Sequence, residues 1–100
     1  MNVNHIIAEK IMKWETDEES GRWKVKHMLL GKSYWNPTHT ISDAWEVLET
    51  FEEGLVRKRM NGLNYRAWVI HENKECSAFG NTPSEAIVNV ALKAHNIEIK

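Results

Sequence analysis

Apolar residues recur at helical spacing near the start of the chain. Ile7, Ile11 and Trp14 stand at i, i+4 and i+7, which places the three side chains on one face of a helix. An asparagine on either side of Val3 can accept the first free backbone N–H groups. The pattern therefore predicts a first helix over about residues 3–14, with one face buried.

A second apolar stripe predicts a helix over about residues 42–53. Either Thr40 or Ser42 can cap this helix. Asp43 follows Thr40 at the spacing of a capping box, and its negative charge suits a helix N-terminus. Trp45 lies among the apolar residues of the stripe, so we expect its indole in the core.

The closing segment carries the clearest helix signal. Thr82 is a capping residue, Pro83 stands at the first helical position, and Glu85 follows Thr82 at the third. Alanine, isoleucine and valine then recur at helical spacing. We predict a third helix over about residues 83–95.

Strands are predicted between these helices. Residues 22–30 alternate between apolar and basic side chains, which is typical of one strand with two unlike faces. Three further strands are expected in the segments LVRKRM, YRAWVIHE and ECSAFG, with turns at Asn61–Gly62 and within HENKE. The element order is therefore α-β-α-β-β-β-α. A run of strands between helices favours an α+β fold, with an antiparallel sheet of about four strands sandwiched between helices.

Length and composition narrow the class of protein. One hundred residues fit a single domain over residues 1–100, and the formal net charge of −1 argues against coating duplex nucleic acid. The one cysteine excludes an intrachain disulfide and is typical of a reducing compartment. Neither a signal peptide nor a membrane span is indicated, so we expect a cytoplasmic protein without a membrane partner.

Three segments carry a resemblance to a known family: IIAEKIMKWE, the WNP-to-ISDAWEVLE stretch and GNTPSEAIVNVALKA. Together they resemble phage ABA sandwich domain proteins, which are small proteins found especially in phages of Bacillus and relatives. The resemblance covers nearly the whole chain and implies an antiparallel sheet between helical layers. It implies no activity. The ending GNTPSEAI also resembles the close of HicB-type antitoxin domains, over a short and generic stretch.

The segment YWNP is the first candidate site. Tyr34 and Trp35 lie outside any periodic element, in a loop that Asn36 and the following proline stiffen. If exposed, the two rings could stack on a base or anchor a protein partner. Trp35 could equally fold over the end of the sheet as a core residue.

Basic side chains on the strands are the second candidate site. Arg57, Arg59 and Arg66 could bind the phosphates of an anionic ligand, or could simply keep strand edges soluble. Trp68 shares a strand face with Arg66 and is a core residue if both sheet faces are covered. No motif indicates a metal site, a cofactor or catalysis, so we expect a non-enzymatic protein.

Two functions fit these features. In the first, a homo-oligomeric phage accessory protein sequesters an anionic nucleotide such as a host immune signal. The arginines then bind phosphate, while Tyr34 and Trp35 stack on the base. In the second, the chain is a protein-interaction module that inhibits a host protein or scaffolds a phage assembly. The same two rings then act as anchors.

Overall fold

The computed structural model describes residues 2–58 and 64–98. Its elements are, in chain order, α1 (Val3–Lys10), β1 (Glu15–Thr16), β2 (Trp23–Val25), β3 (Met28–Leu30), a 3₁₀ turn (Lys32–Tyr34), α2 (Ile41–Leu48), β4 (Glu53–Lys58), β5 (Tyr65–His71), β6 (Lys74–Gly80) and α3 (Pro83–Ala94). The strands form two antiparallel sheets, β1-β2-β3 and β4-β5-β6. The α+β class is confirmed, whereas the predicted four strands and their order are wrong.

The segment predicted as one strand over residues 22–30 is a hairpin. β2 and β3 pair with Val25 opposite Met28, and Lys26 starts the turn with a φ of +56°. A lysine rarely adopts this left-handed conformation, so the sequence carries no turn signal there. Trp23 at the start of β2 is fully buried, and the Lys32 ammonium lies 4.2 Å from the centroid of its ring.

The first two helices are shorter than predicted. α1 ends at Lys10, and the chain then turns away through Lys13, which has a φ of +63°. The sequence has no glycine or proline here that would predict the end of the helix. After α2, the Thr50 hydroxyl donates to the Val47 carbonyl at 2.7 Å and the chain turns into β4. Asn2 caps α1 by accepting the backbone N–H of Asn4 at 2.9 Å, as the sequence allows.

The second sheet is built from two hairpins. β5 pairs with β4 on one side and β6 on the other. The turn predicted in HENKE is confirmed, because Glu72 and Asn73 both have positive φ between β5 and β6, as a type I′ turn requires. The turn predicted at Asn61–Gly62 lies outside the described residues.

α3 follows its predicted capping pattern and covers one face of the second sheet, which we call the inner face. The Thr82 hydroxyl accepts the Glu85 N–H at 3.1 Å, and the Glu85 carboxylate accepts the Asn81 N–H at 2.9 Å. Ala67 and Val69 of β5 point from the inner face into the core. Burial of this apolar surface is the main stabilising term of the domain.

Candidate interaction surface

Trp45 lies in a different environment from the one that the sequence predicts, whereas Trp35 is a core residue, which is one of its two predicted environments. The Trp35 side chain is only 3% exposed and packs edge-on against Trp14, with ring centroids 4.7 Å apart. Trp45 is 47% exposed on α2. Of the predicted ring pair, only Tyr34 reaches solvent, with 82% of its side chain exposed. The expectation of a buried Trp45 is therefore wrong, and of the two alternatives for Trp35 the structure supports the core residue.

Helix geometry explains the position of Trp45. The buried residues of α2 are Ala44, Val47 and Leu48, and Trp45 stands next to this stripe with Ile41 one turn before it. Ile41 is exposed as well. An apolar residue beside a buried stripe cannot be distinguished from a member of that stripe by spacing over two turns.

The polar groups of Asn36 form hydrogen bonds within the domain. Its side-chain oxygen accepts the Asn4 amide and the Thr38 hydroxyl, each at 2.8 Å, and its backbone N–H donates to the Asp43 carboxylate at 2.9 Å. Asp43 thus binds the loop, while Thr40 at the N-cap makes no side-chain cap bond, contrary to the predicted capping box. The network ties α1, the loop and α2 together, and the structure places Asn36 inside it.

The second sheet has an outer face that points away from α3. Alternation along the three strands and their register arrange its side chains in three rows across the sheet. The first row is Arg57, Arg66 and Phe79, the second is Leu55, Trp68 and Ser77, and the third is Glu53, Ile70 and Glu75. We call these nine residues the outer face.

The outer face contains apolar side chains that do not join the core. Leu55 is 46% exposed and Phe79 48% exposed, while Trp68 and Ile70 are half-buried. The half-buried Trp68 and Ile70 do not pack against the buried cluster under α3. Among the described residues, α3 is the helix that packs extensively on this sheet, and it covers the inner face. An apolar centre with aromatic rings and arginine at its edge is typical of protein interfaces.

The charges of the outer face are separated along the strands. Arg57 and Arg66 are direct cross-strand neighbours in the first row, and no carboxylate among the described residues forms an ion pair with either. Arg66 makes only a long contact of 3.4 Å to the Ser77 hydroxyl, and its Nε is buried without a partner. Like charges placed side by side repel, so a bound anion would reduce the repulsion at this end of the face.

A histidine pair lies at one end of the inner face. The rings of His71 and His95 are 4.3 Å apart, centroid to centroid, and each lies 5.6 Å from the Phe51 ring. Burial lowers the pKa of His95, and the nearby His71 and Lys13 lower it further. Across the described residues, no group of three or more His, Cys, Asp or Glu side chains is placed to hold a metal ion.

The comparisons with known proteins identify the family. The sequence profile of the Phage ABA sandwich domain matches residues 5–92. The chain belongs to this family. The fold of this Phage ABA sandwich domain is similar to a crystal structure of a phage protein from Bacillus cereus ATCC 14579. The TM-score is 0.74 with 26% sequence identity, over 98% of this chain and 88% of that chain. No curated protein matches the chain. The resemblance drawn from the sequence is confirmed, and this domain is a small phage protein.

Within this Phage ABA sandwich domain, the predicted site residues fall into separate places. Arg57 and Arg66 are adjacent on the outer face, whereas Tyr34, Trp35 and Asn36 belong to the loop before α2. Arg59 lies outside the described residues. Leu55 and Phe79 were not identified from the sequence as members of this surface. The alternation of side chains along the strands, together with the register that the HENKE turn sets, places both residues on the same sheet face as Trp68. None of the helices in the described ranges is long and apolar enough to cross a membrane.

Proposed function

We propose that this chain is a non-enzymatic protein-interaction module, and that its docking surface is the outer face of the β4-β5-β6 sheet. The observation that supports the proposal is the exposed Leu55 beside the half-buried Trp68 and Ile70, which lie outside the core. Apolar area that stays exposed on a folded domain is available for binding.

The chemistry of the outer face favours a polypeptide partner. Arg66 and Trp68 lie two positions apart on the same face of β5. Arginine and tryptophan are residue types that contribute much of the binding energy at protein interfaces. Acidic and basic rows flank the apolar centre, which gives a partner both a surface to bury and charges to orient it. A host protein or a component of a phage assembly can present a surface complementary to these rows.

Photo-crosslinking tests the proposal. A benzoylphenylalanine placed at Leu55 should crosslink to a discrete protein in host-cell lysate, before or after infection, and Trp68→Ala should abolish the crosslink. The same probe at Glu9, which is exposed on α1, is the matched control. Equal crosslinking from both positions, or none from Leu55, would contradict an outer-face docking surface.

A second candidate function is supported by the arginine pair. Arg57 and Arg66 have no carboxylate partner among the described residues, and the Trp68 ring follows Arg66 on the same strand face. Two guanidinium groups and an aromatic ring could bind the phosphate and base of an anionic nucleotide. In this form of the sequestering hypothesis, Trp68 takes the base-stacking role that the sequence analysis gave to Trp35.

Thermal shifts with mono-, di- and cyclic nucleotides test this second candidate. A ligand at 100 times its dissociation constant stabilises a fold by about 2.7 kcal/mol, which raises the melting temperature measurably in a domain of this size. The shift should disappear in Arg66→Ala. Lys10→Ala, a change of exposed charge on α1, is the control. An unchanged melting temperature with every nucleotide would remove this candidate.

A further inference from the structure

The charge pattern of the outer face fits a second copy of the same face. The row of Arg57 and Arg66 carries two positive charges, and the row of Glu53 and Glu75 carries two negative charges. The two rows are four residues apart along the strands, which is about 13 Å. Leu55 and Trp68 lie in the row between them.

Two sheets can pack face to face around a two-fold axis in either of two directions. An axis along β5 would place Arg66 of one copy on Arg66 of the other and Glu53 on the partner's Glu75. Like charges would then meet at both ends of the interface and repel each other. This arrangement is disfavoured.

An axis across the strands, through the row of Leu55 and Trp68, has the opposite effect. Arg57 then faces Glu53 of the partner subunit. Arg66 lies above the partner's Ile70, between the two carboxylates of that row. The apolar middle row meets its own copy, at the roughly 10 Å separation of packed sheets.

We propose that the partner of the outer face is a second copy of this chain, related by a two-fold axis that crosses the strands at Trp68. This inference rests on the proposed docking function and names its partner. The dimer buries Trp68 and Leu55 at its centre and pairs opposite charges at both ends, as a self-complementary surface requires.

Light scattering and sedimentation of the full chain test the inference. The wild-type protein should have twice the 11.7 kDa mass of one chain at micromolar concentrations. Arg57→Glu should weaken the dimer at least tenfold, because two glutamates then face each other. Glu53→Arg should do the same with two arginines. The double variant with both substitutions should restore the dimer, since opposite charges meet again with reversed polarity.

Two controls keep the result specific. Lys10→Glu changes an exposed charge on α1 and should leave the mass unchanged. Leu55→Asp should give a folded monomer, because Leu55 is outside the core, and circular dichroism checks the fold. A dimer that persists in Leu55→Asp, or a double variant that stays monomeric, would overturn the proposed orientation.

The experiments test the proposed docking function separately from the proposal that the partner is a second copy of this chain. A wild-type monomer overturns the second-copy inference. If the probe at Leu55 then still crosslinks to another polypeptide, the docking surface stands with a different partner. If the wild-type protein is monomeric and the probe captures nothing, both proposals fail.

Discussion

The indole of Trp35 meets the indole of Trp14 edge-on, with ring centroids 4.7 Å apart. This contact joins the segment after α1 to the loop before α2, two parts of the chain that are distant in sequence. Aromatic pairs in this geometry stabilise a fold beyond the area they bury. The pair therefore belongs to the stability of the domain.

Truncation of Trp35 should cost far more stability than truncation of Trp45. Trp35→Ala leaves a large cavity in the core and should lower the free energy of unfolding by about 3–5 kcal/mol. Trp45→Ala removes a half-exposed ring and should cost within about 1 kcal/mol. Urea denaturation followed by circular dichroism measures both. Equal losses would mean that the Trp14–Trp35 contact is not part of the core.

Asn36→Ala should destabilise the domain by about 2 kcal/mol, because the part-buried Asn4 amide loses its acceptor and the Thr38 hydroxyl keeps only the neighbouring His39 imidazole as a partner. Asn89→Ala is a control that removes a single exposed bond, to the Phe79 carbonyl, and should cost less than about 1 kcal/mol. The midpoints of urea unfolding give the comparison. A neutral Asn36→Ala would show that the network does not fasten the loop.

Gly80 should tolerate no larger side chain. A Cβ at this position would collide with the Ala86 backbone nitrogen, so Gly80→Ala must push β6 away from α3. We expect a loss of about 1–3 kcal/mol. Gly31→Ala is the matched control, because the Cβ there meets only the exposed Tyr34 ring, which can rotate away. Thermal melting of both variants separates the two effects.

The histidine pair predicts a loss of stability in mild acid. The pKa of His95 is lowered in the folded state, first by burial and then by His71, so folding favours its neutral form. The stabilising effect is complete above the unfolded-state pKa of about 6.5 and is lost as the pH falls through the lower folded-state value. Unfolding midpoints at pH 7.5 and pH 5 should therefore differ, with the acid sample less stable.

Variants identify the group responsible. His95→Gln cannot take up a proton and should reduce the difference between the two pH values. His39→Gln changes an exposed histidine and should preserve it. If both variants keep the full pH dependence, the loss of stability in acid comes from other groups.

The parts of the fold that local chemistry determines were predictable from sequence. The α3 helix carries its own cap, proline and glutamate, and its predicted limits differ from the observed Pro83–Ala94 by one residue. The β2-β3 hairpin was missed because Lys26 adopts a positive φ that only its surroundings impose. Turn prediction relies on residues that adopt such conformations easily, and lysine is not one of them.

The environments of the tryptophans required tertiary information. Trp35 is buried because α1 and the segment after it fold over the loop. The loop has no hydrophobic periodicity from which this burial could be predicted. Trp68 was placed on the correct strand face, beside Arg66 and Ile70. Whether that face is covered depends on how the helices pack. Hence the sequence indicates which side chains share a surface, but not which surface remains open.

The division of the β4-β5-β6 sheet into two faces has an evolutionary consequence. Side chains such as Val69 on the inner face are constrained by the helix packed on them, whereas the exposed Leu55 on the outer face is not. Mutations can accumulate on the outer face without lowering the yield of folded protein. Descendants of one ancestral gene can thus acquire new partners while they keep the same architecture.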